Sequence, residues 1–71
     1  MRRWPEIVGG NVKRLRKAHG LTQEVVAQRA EIVVRYLSGI EGGKENPTVE
    51  VLGRLAEALG VHPSVLWAEG E

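Results

Sequence analysis

The sequence contains no cysteine and no aspartate, and only two histidines, His19 and His62, occur along its 71 residues. Without cysteine, neither a disulfide framework nor a thiolate zinc site can stabilise so short a chain. Each histidine lies at a predicted helix boundary with no ligand or triad partner at a telling spacing. No glycine-rich phosphate loop of the GxGxxG or P-loop kind occurs either. We therefore expect no enzymatic activity, no metal and no cofactor.

Long apolar segments are also missing from the chain. No apolar run approaches the roughly 18 residues that a membrane-spanning helix needs, and the N-terminal residues lead into no hydrophobic signal segment. We expect a cytoplasmic protein without membrane contact. A chain this short supports one hydrophobic core, so residues 1–71 are expected to form one domain with loose ends at 1–5 and 69–71.

The charge is small in total but uneven along the chain. Residues 1–35 hold eight lysines or arginines and three glutamates, whereas residues 36–71 hold two and six, so +5 and −4 give the net charge of +1. The basic half is a candidate footprint for phosphate groups. Uneven solvated charge without any binding partner explains the same numbers equally well.

Hydrophobic spacing predicts five short helices and no strand, which is an all-α fold. Four of the five predicted helices, all but the third, are bounded by residues suited to helix termini, namely proline at the start, threonine at the N-cap or glycine at the end. The five helices are expected from Pro5 to Gly20, after Thr22 to Ala30, Val34 to Glu41, after Thr48 to Gly60, and Pro63 to a ragged end at Glu71.

The stretch from Leu21 to Pro47, with a helix, a tight turn and a second short helix, has the pattern of a helix-turn-helix. Short segments from about Val8 to Trp67 resemble, in order and spacing, the phage repressor and Cro-like (XRE-type) helix-turn-helix family. They are Leu15-Arg16, Gly20 to Glu24, Ala27, Tyr36 to Ser38, Ile40-Glu41, Gly43, Asn46-Pro47, Leu55-Ala56 and Leu59 to Val61. The resemblance implies a lambda-repressor-like fold and a DNA-binding transcriptional regulator associated with the nucleoid.

The resemblance also implies a role for individual residues on double-stranded DNA. The third helix is expected to enter the major groove, and Arg35 is its main specific donor, suited to the O6 and N7 atoms of guanine. A phosphate or an internal glutamate contact is the alternative for Arg35. The residues expected to face bases are Val33, Val34, Arg35 and Gly39, and those expected to contact the DNA backbone are Gln23, Tyr36, Ser38, Gly43 and Lys44, with Gly43 acting through its amide.

Two further features follow from the resemblance. Arg16 and Glu41 match a pair of residues that forms a partly buried ion pair in the family, for which we expect a structural role. Because one recognition helix reads only about four or five base pairs, a homodimer on a palindromic site is expected. Val65, Leu66 and Trp67 are the candidate dimer surface, although Trp67 could simply close the core.

Four positions depart from the pattern of the family. Glu31 stands where glycine is common in the turn, so a left-handed backbone there costs about 1 kcal/mol and a looser turn is expected. Val33 replaces the serine or threonine that usually caps the recognition helix. Val25 and Val51 replace the acidic or amide residues that would complete two capping boxes.

A second function remains open from the residues alone. The valines at the tip of the third helix could belong to a protein interface. An antitoxin-like helical module that binds a protein partner, with secondary or lost DNA binding, is therefore the alternative hypothesis.

Overall fold

A computed structural model describes residues 3–69, and within this range it contains helices and no strand. The elements are α1 Trp4–Ala18, α2 Gln23–Ala30, α3 Val34–Glu41, α4 Val49–Leu59 and a 3-10 helix Pro63–Trp67. The predicted all-α class is confirmed, as are the bounds of α2, α3 and α4. None of these helices is long and apolar enough to cross a bilayer.

The helix termini form where the residue types predict them. The hydroxyl oxygens of Thr22 and Thr48 accept hydrogen bonds from the amides of Val25 and Val51, at 3.2 and 3.1 Å. Each threonine thereby satisfies one of the amides that a helix start leaves unpaired. Gly60 ends α4 in the left-handed conformation, with a φ of 71°, which glycine adopts without steric cost.

The fifth element differs from the prediction. It is a 3-10 helix that ends at Trp67, where the sequence predicts an α-helix continuing to Glu71. The side-chain amide of Asn11 in α1 donates to the carbonyls of Leu66 and Ala68, both at 2.8 Å. These bonds occupy carbonyls near the C-terminus of the helix, and Ala68 has extended backbone, so the chain leaves the helix there.

The ends of the chain are only partly described. The sequence predicts a loose end at residues 1–5, but α1 already includes Trp4 and Pro5. Met1, Arg2, Gly70 and Glu71 lie outside the described residues.

The hydrophobic core is built from aliphatic side chains and alanines of all five elements. Small residues on α2 allow it to pack closely against α4, while α1 contacts α3 and the 3-10 helix. The fully buried residues of largest volume are Leu37, Ile40, Leu55, Leu66, Val12 and Val26. Two of them, Leu37 and Ile40, belong to α3, so one side of this helix packs on the core.

The crossing of α1 and α3 depends on a glycine. A methyl group placed on Gly9 would overlap the carbonyl oxygen of Ile40, so only glycine allows α3 to lie this close to α1. The neighbouring Gly10 meets no atom within 4 Å. The close approach of the two helices therefore requires glycine at position 9 but not at position 10.

Candidate nucleic-acid interface

A tight turn joins α2 to α3. Glu31 adopts the left-handed conformation, with φ 61° and ψ 44°, and the amide of Ile32 donates to the carbonyl of Ala27 at 3.0 Å. The looser turn predicted from Glu31 is therefore wrong. The chain keeps the closed turn, and Glu31 carries the backbone strain that a glycine would avoid.

The start of α3 lacks a side-chain cap. Val33 occupies the N-cap position and its side chain makes no capping hydrogen bond, as predicted. Ile32, just before it, packs against the core, in which Leu37 is fully buried. A hydrophobic contact of this kind fixes the angle at which the chain enters a helix, so packing holds the start of α3.

Only one side of α3 faces solvent. Residues of an α-helix are rotated by about 100° each, and the buried Leu37 and Ile40 mark the inner side. The opposite side carries Arg35, Ser38 and Gly39. We call this side the outer face of α3, and it is the surface that a helix-turn-helix presents to the major groove.

Arg35 is the principal charged residue of the outer face. Its side chain is exposed, and it makes no hydrogen bond or ion pair to another residue in the range 3–69. The internal glutamate contact considered from the sequence is therefore not found in that range. The guanidinium remains able to pair with a base or a phosphate.

The valines at the start of α3 are more exposed than Tyr36. Val33 is 69% exposed and Val34 is 36% exposed, so both present methyl groups to solvent. Tyr36 is half-buried and packs against the core. Packing against the core thus accounts for the position of Tyr36, whereas Val33 is mostly open to solvent and Val34 is partly open.

The loop after α3 corrects one expected role. Gly43 is buried, and its amide donates to the carbonyl of Ile40 at 3.0 Å. The amide is therefore already used inside the protein, and the expectation that it clamps a phosphate is wrong. Lys44 is exposed, and its side chain lies beside Gly42 at the end of α3, so its charge remains available.

Gly39 also differs from the expectation. From the sequence, residue 39 itself is expected to face a base, but the side chain of Glu45 lies over Gly39, with Cγ at 2.7 Å from where a Cβ of residue 39 would stand. Sequence reasoning missed Glu45, because only the folding of the loop brings it to α3.

Arg16 and Glu41 form the expected ion pair. Arg16 donates from Nε to Oε2 of Glu41 at 2.7 Å and from Nη2 to Oε1 at 3.0 Å. Its Nη1 atom donates to the carbonyl of Leu21 at 2.9 Å. The two side chains are only 11% and 4% exposed, so the pair joins α1, the start of the helix-turn-helix and the end of α3 inside the protein.

The electrostatic effect of this pair follows from its geometry. Hydrogen bonding to Glu41 is the main reason that the pKa of Arg16 is raised above its usual value. A raised folded-state pKa stabilises the fold below the unfolded pKa, and this contribution is lost only as the pH rises through the folded pKa. Arg16 therefore keeps its charge throughout the neutral pH range and remains able to pair with Glu41.

Gln23 is drawn into the same network. Its side-chain amide donates to Oε1 of Glu41 at 3.0 Å, and the residue is half-buried at the start of α2. The network fixes the orientation of the glutamine and uses one of its two N–H groups. Its carbonyl oxygen and second N–H make no hydrogen bond to another residue in the range 3–69.

The candidate dimer surface must be corrected at one residue. Leu66 is completely buried in the core, so it cannot contact a second copy. Val65 is half-buried and Trp67 is 37% exposed. Trp67 lines an apolar groove of about 230 Å³ together with Trp4, Pro5, Val8, Asn46, Pro47 and Leu52.

Asn11 is a second residue that sequence reasoning missed. It is buried, and its side-chain N–H groups donate to the carbonyls of Leu66 and Ala68 in the C-terminal segment. Its side-chain oxygen, Oδ1, accepts a hydrogen bond from Arg14 at 3.1 Å. A signal was present, because Asn11 follows Val8 by three residues and therefore falls on the buried side of α1. No group of three or more metal-ligating side chains is found within residues 3–69.

Two helices joined by a tight turn, the second with its outer face exposed, define a helix-turn-helix protein. The chain belongs to the HTH_3 family of DNA-binding transcription regulators, whose model, described as a helix-turn-helix, matches residues 12–66. The resemblance noted from the sequence is thereby confirmed.

Individual relatives support the assignment to this family. The HTH-type transcriptional regulator y4dJ of Sinorhizobium fredii is 52% identical over 56 residues, covering 79% of this chain and 73% of its own length. The immunity repressor protein of Bacillus phage phi105 is 37% identical over 62 residues, covering 87% of this chain but only 43% of the repressor. The crystal structure of the restriction-modification controller protein C.AhdI from Aeromonas hydrophila matches with a TM-score of 0.85 and 32% identity, over 87% of this chain and 94% of that one.

Proposed function

We propose that this protein recognises a specific DNA sequence by placing the outer face of α3 in the major groove, and that it regulates transcription from that site. The observation that carries the proposal is the exposed side chain of Arg35, which has no partner within residues 3–69. Pairing of an arginine with the O6 and N7 atoms of guanine is the commonest specific contact in this groove.

The valines at the start of α3 would add recognition of thymine. Val33 and Val34 are exposed and can contact the thymine methyl group, but they cannot hydrogen-bond to a base edge. Val33 and Val34 thus favour an A·T pair beside the guanine that Arg35 reads.

Phosphate contacts would position α3 without reading sequence. Lys44 supplies a charge at the end of α3, and Ser38 is exposed on the outer face. Gln23, held by Glu41 at the start of α2, and the hydroxyl of Tyr36 are the remaining proposed contacts.

We also propose that residues 1–71 act as one domain and bind DNA as a homodimer. A single α3 reads too few base pairs to find one site, whereas two copies read half-sites about 34 Å apart. Val65 and Trp67 are the proposed contact between copies, since both carry accessible apolar surface. An operator of two inverted half-sites follows from the symmetry of such a dimer.

Selection of binding sites from a random DNA pool tests the proposal. We expect enrichment of a palindrome, with sedimentation showing two chains on each site. Trp67→Ala should reduce dimer formation and weaken binding to the palindrome more than binding to one half-site. A pool that yields no preferred sequence, with only weak salt-sensitive binding, would contradict sequence-specific recognition.

The second candidate function is binding of a protein partner by an antitoxin-like module. The exposed apolar side chains of Val33 and Val49, at 69% and 78%, favour it. This function predicts co-purification with a specific protein and loss of that complex in Val33→Lys. The selection experiment separates the two functions, because only DNA recognition enriches a palindrome.

A further inference from the structure

At residue 39 the outer face of α3 is covered by a side chain from the following loop. Gly39 has no side chain, and the side chain of Glu45 lies across it. Measured from where a Cβ of residue 39 would stand, Cγ of Glu45 is at 2.7 Å, Oε2 at 3.4 Å and Cδ at 3.6 Å. At position 39 the outer face therefore presents a carboxylate.

The loop holds Glu45 in this place through its backbone. The amides of Lys44 and Glu45 both donate to the carbonyl oxygen of Gly39, at 2.9 and 3.3 Å. Two hydrogen bonds to one carbonyl fix the loop against α3 immediately next to the side chain in question. Glu45 is exposed and makes no ion pair within residues 3–69, so its carboxylate is open to a ligand.

We infer that Glu45 determines sequence specificity by accepting a hydrogen bond from the amino group of cytosine, beside the base pair that Arg35 reads. The inference rests on the proposed function, in which the outer face of α3 enters the major groove. Arg35 and Gly39 lie on the same face, four residues and therefore about 6 Å apart along the helix axis. Base pairs are stacked about 3.4 Å apart, so the carboxylate faces a pair one or two steps from the guanine.

Of the four bases, cytosine is the best hydrogen-bonding partner for a carboxylate in the major groove. In the major groove cytosine presents an amino donor, whereas guanine and thymine present acceptor oxygens that repel an anion. Adenine presents a donor beside the N7 acceptor, so it is tolerated less well. A carboxylate that loses water in the groove without gaining a donor is unfavourable. We expect cytosine to be preferred over guanine or thymine by roughly 5- to 100-fold in Kd.

Site selection with the full chain and three variants tests the inference. The parent should enrich cytosine one or two pairs from the guanine that Arg35 reads. Glu45→Gln should change that preference to adenine, since glutamine pairs with the N6 and N7 atoms of adenine. Glu45→Ala should remove the preference there and leave the other positions unchanged. Glu57→Gln removes the same charge from α4, beside His19 and Arg29, and should leave the whole site unchanged.

A fourth variant moves Glu45 without altering it. Gly39→Ala places a methyl group only 2.7 Å from Cγ of Glu45, so the flexible glutamate must shift while alanine favours the helix. We expect an unchanged or higher Tm together with a weaker preference for cytosine.

The contrary outcomes are distinct. If Glu45→Ala and Glu45→Gln keep the cytosine preference and only raise affinity equally for every sequence, Glu45 acts by charge alone and the inference is wrong. If the parent chain itself enriches no sequence, the proposed function fails, and with it this role of Glu45.

Discussion

Glu31 shows how far the fold can impose a backbone conformation on a single residue. It is the only non-glycine residue with a positive φ among residues 3–69, and L-residues pay roughly 1 to 2 kcal/mol for this conformation. Its side chain offers little compensation, because it is 78% exposed and its contact with Arg54 is 3.9 Å long. The packing of α2 and α3 keeps the turn closed despite this cost.

Glu31→Gly should therefore stabilise the protein. Relief of the left-handed strain outweighs the greater freedom that glycine gives the unfolded chain, so we expect a gain of about 0.5 to 1 kcal/mol, read as a higher Tm by circular dichroism. Gly60→Ala is the matched control, since Gly60 has a φ of 71° and no neighbour within 4 Å. It should lose about the same amount. A lower Tm for Glu31→Gly would show that the Arg54 contact matters more than the strain.

At the scale of elements, the proposed reading surface belongs to α3 and its following loop together. The helix contributes Arg35 on its outer face, and the loop brings Lys44 beside Gly42 and Glu45 over Gly39. Charges of both signs are thus arranged along one short helix. Base-reading and phosphate-binding residues on this surface should respond differently to substitution.

Arg35→Ala should weaken binding to the preferred site by about 1 to 3 kcal/mol and relax the preference at one base pair in each half-site. Fluorescence anisotropy with the preferred site and with single-base variants measures both effects. An equal loss on every sequence would show instead that Arg35 contacts a phosphate.

Lys44→Ala should weaken binding equally on all sequences, because a phosphate contact carries no base information. The slope of log K against log salt should fall by about one. Titrations at several salt concentrations measure it, and an unchanged slope would remove Lys44 from the phosphate contacts. Lys17, exposed near the end of α1, supplies a control substitution with the same change in charge.

At the scale of the whole molecule, long-range polar contacts join elements that are distant in sequence. The pair of Arg16 and Glu41 spans 25 residues, and the contact of Asn11 with Leu66 spans 55. Both lie where water is largely excluded, so each partner depends on the other for its hydrogen bonds. These contacts place the ends of α1 and α3 and the C-terminal segment relative to one another.

Glu41→Ala should destabilise the protein by about 3 to 5 kcal/mol, because it leaves the charge of Arg16 buried without its partner. That loss is a large part of the stability of so small a domain. DNA binding should fail mainly because the protein unfolds, with a further direct loss because Gln23 is no longer held by Glu41. Thermal melts, together with binding measured at low temperature, where the variant is folded, separate the two effects. Arg16→Met with Glu41→Leu should recover much of the stability. A Glu41→Ala variant that melts like the parent but no longer binds would place Glu41 in the reading surface.

The sequence by itself determined the helices, most of their termini and the family. Caps such as Thr22 and Thr48 act within three residues of themselves, and hydrophobic periodicity marks which side of each helix is buried, so both are visible locally. It also placed Arg35 on an exposed face and paired Arg16 with Glu41 through the resemblance to the family.

Only the tertiary structure decided how distant residues meet. The turn at Glu31 stays closed, the amide of Gly43 is used inside the protein, Leu66 is buried, and Glu45 covers Gly39. In each case the outcome depends on packing or hydrogen bonds between separate elements. The secondary-structure propensity of a single residue does not include those contacts. The free energy of the assembled core therefore selects conformations and neighbours that single residues do not prefer on their own.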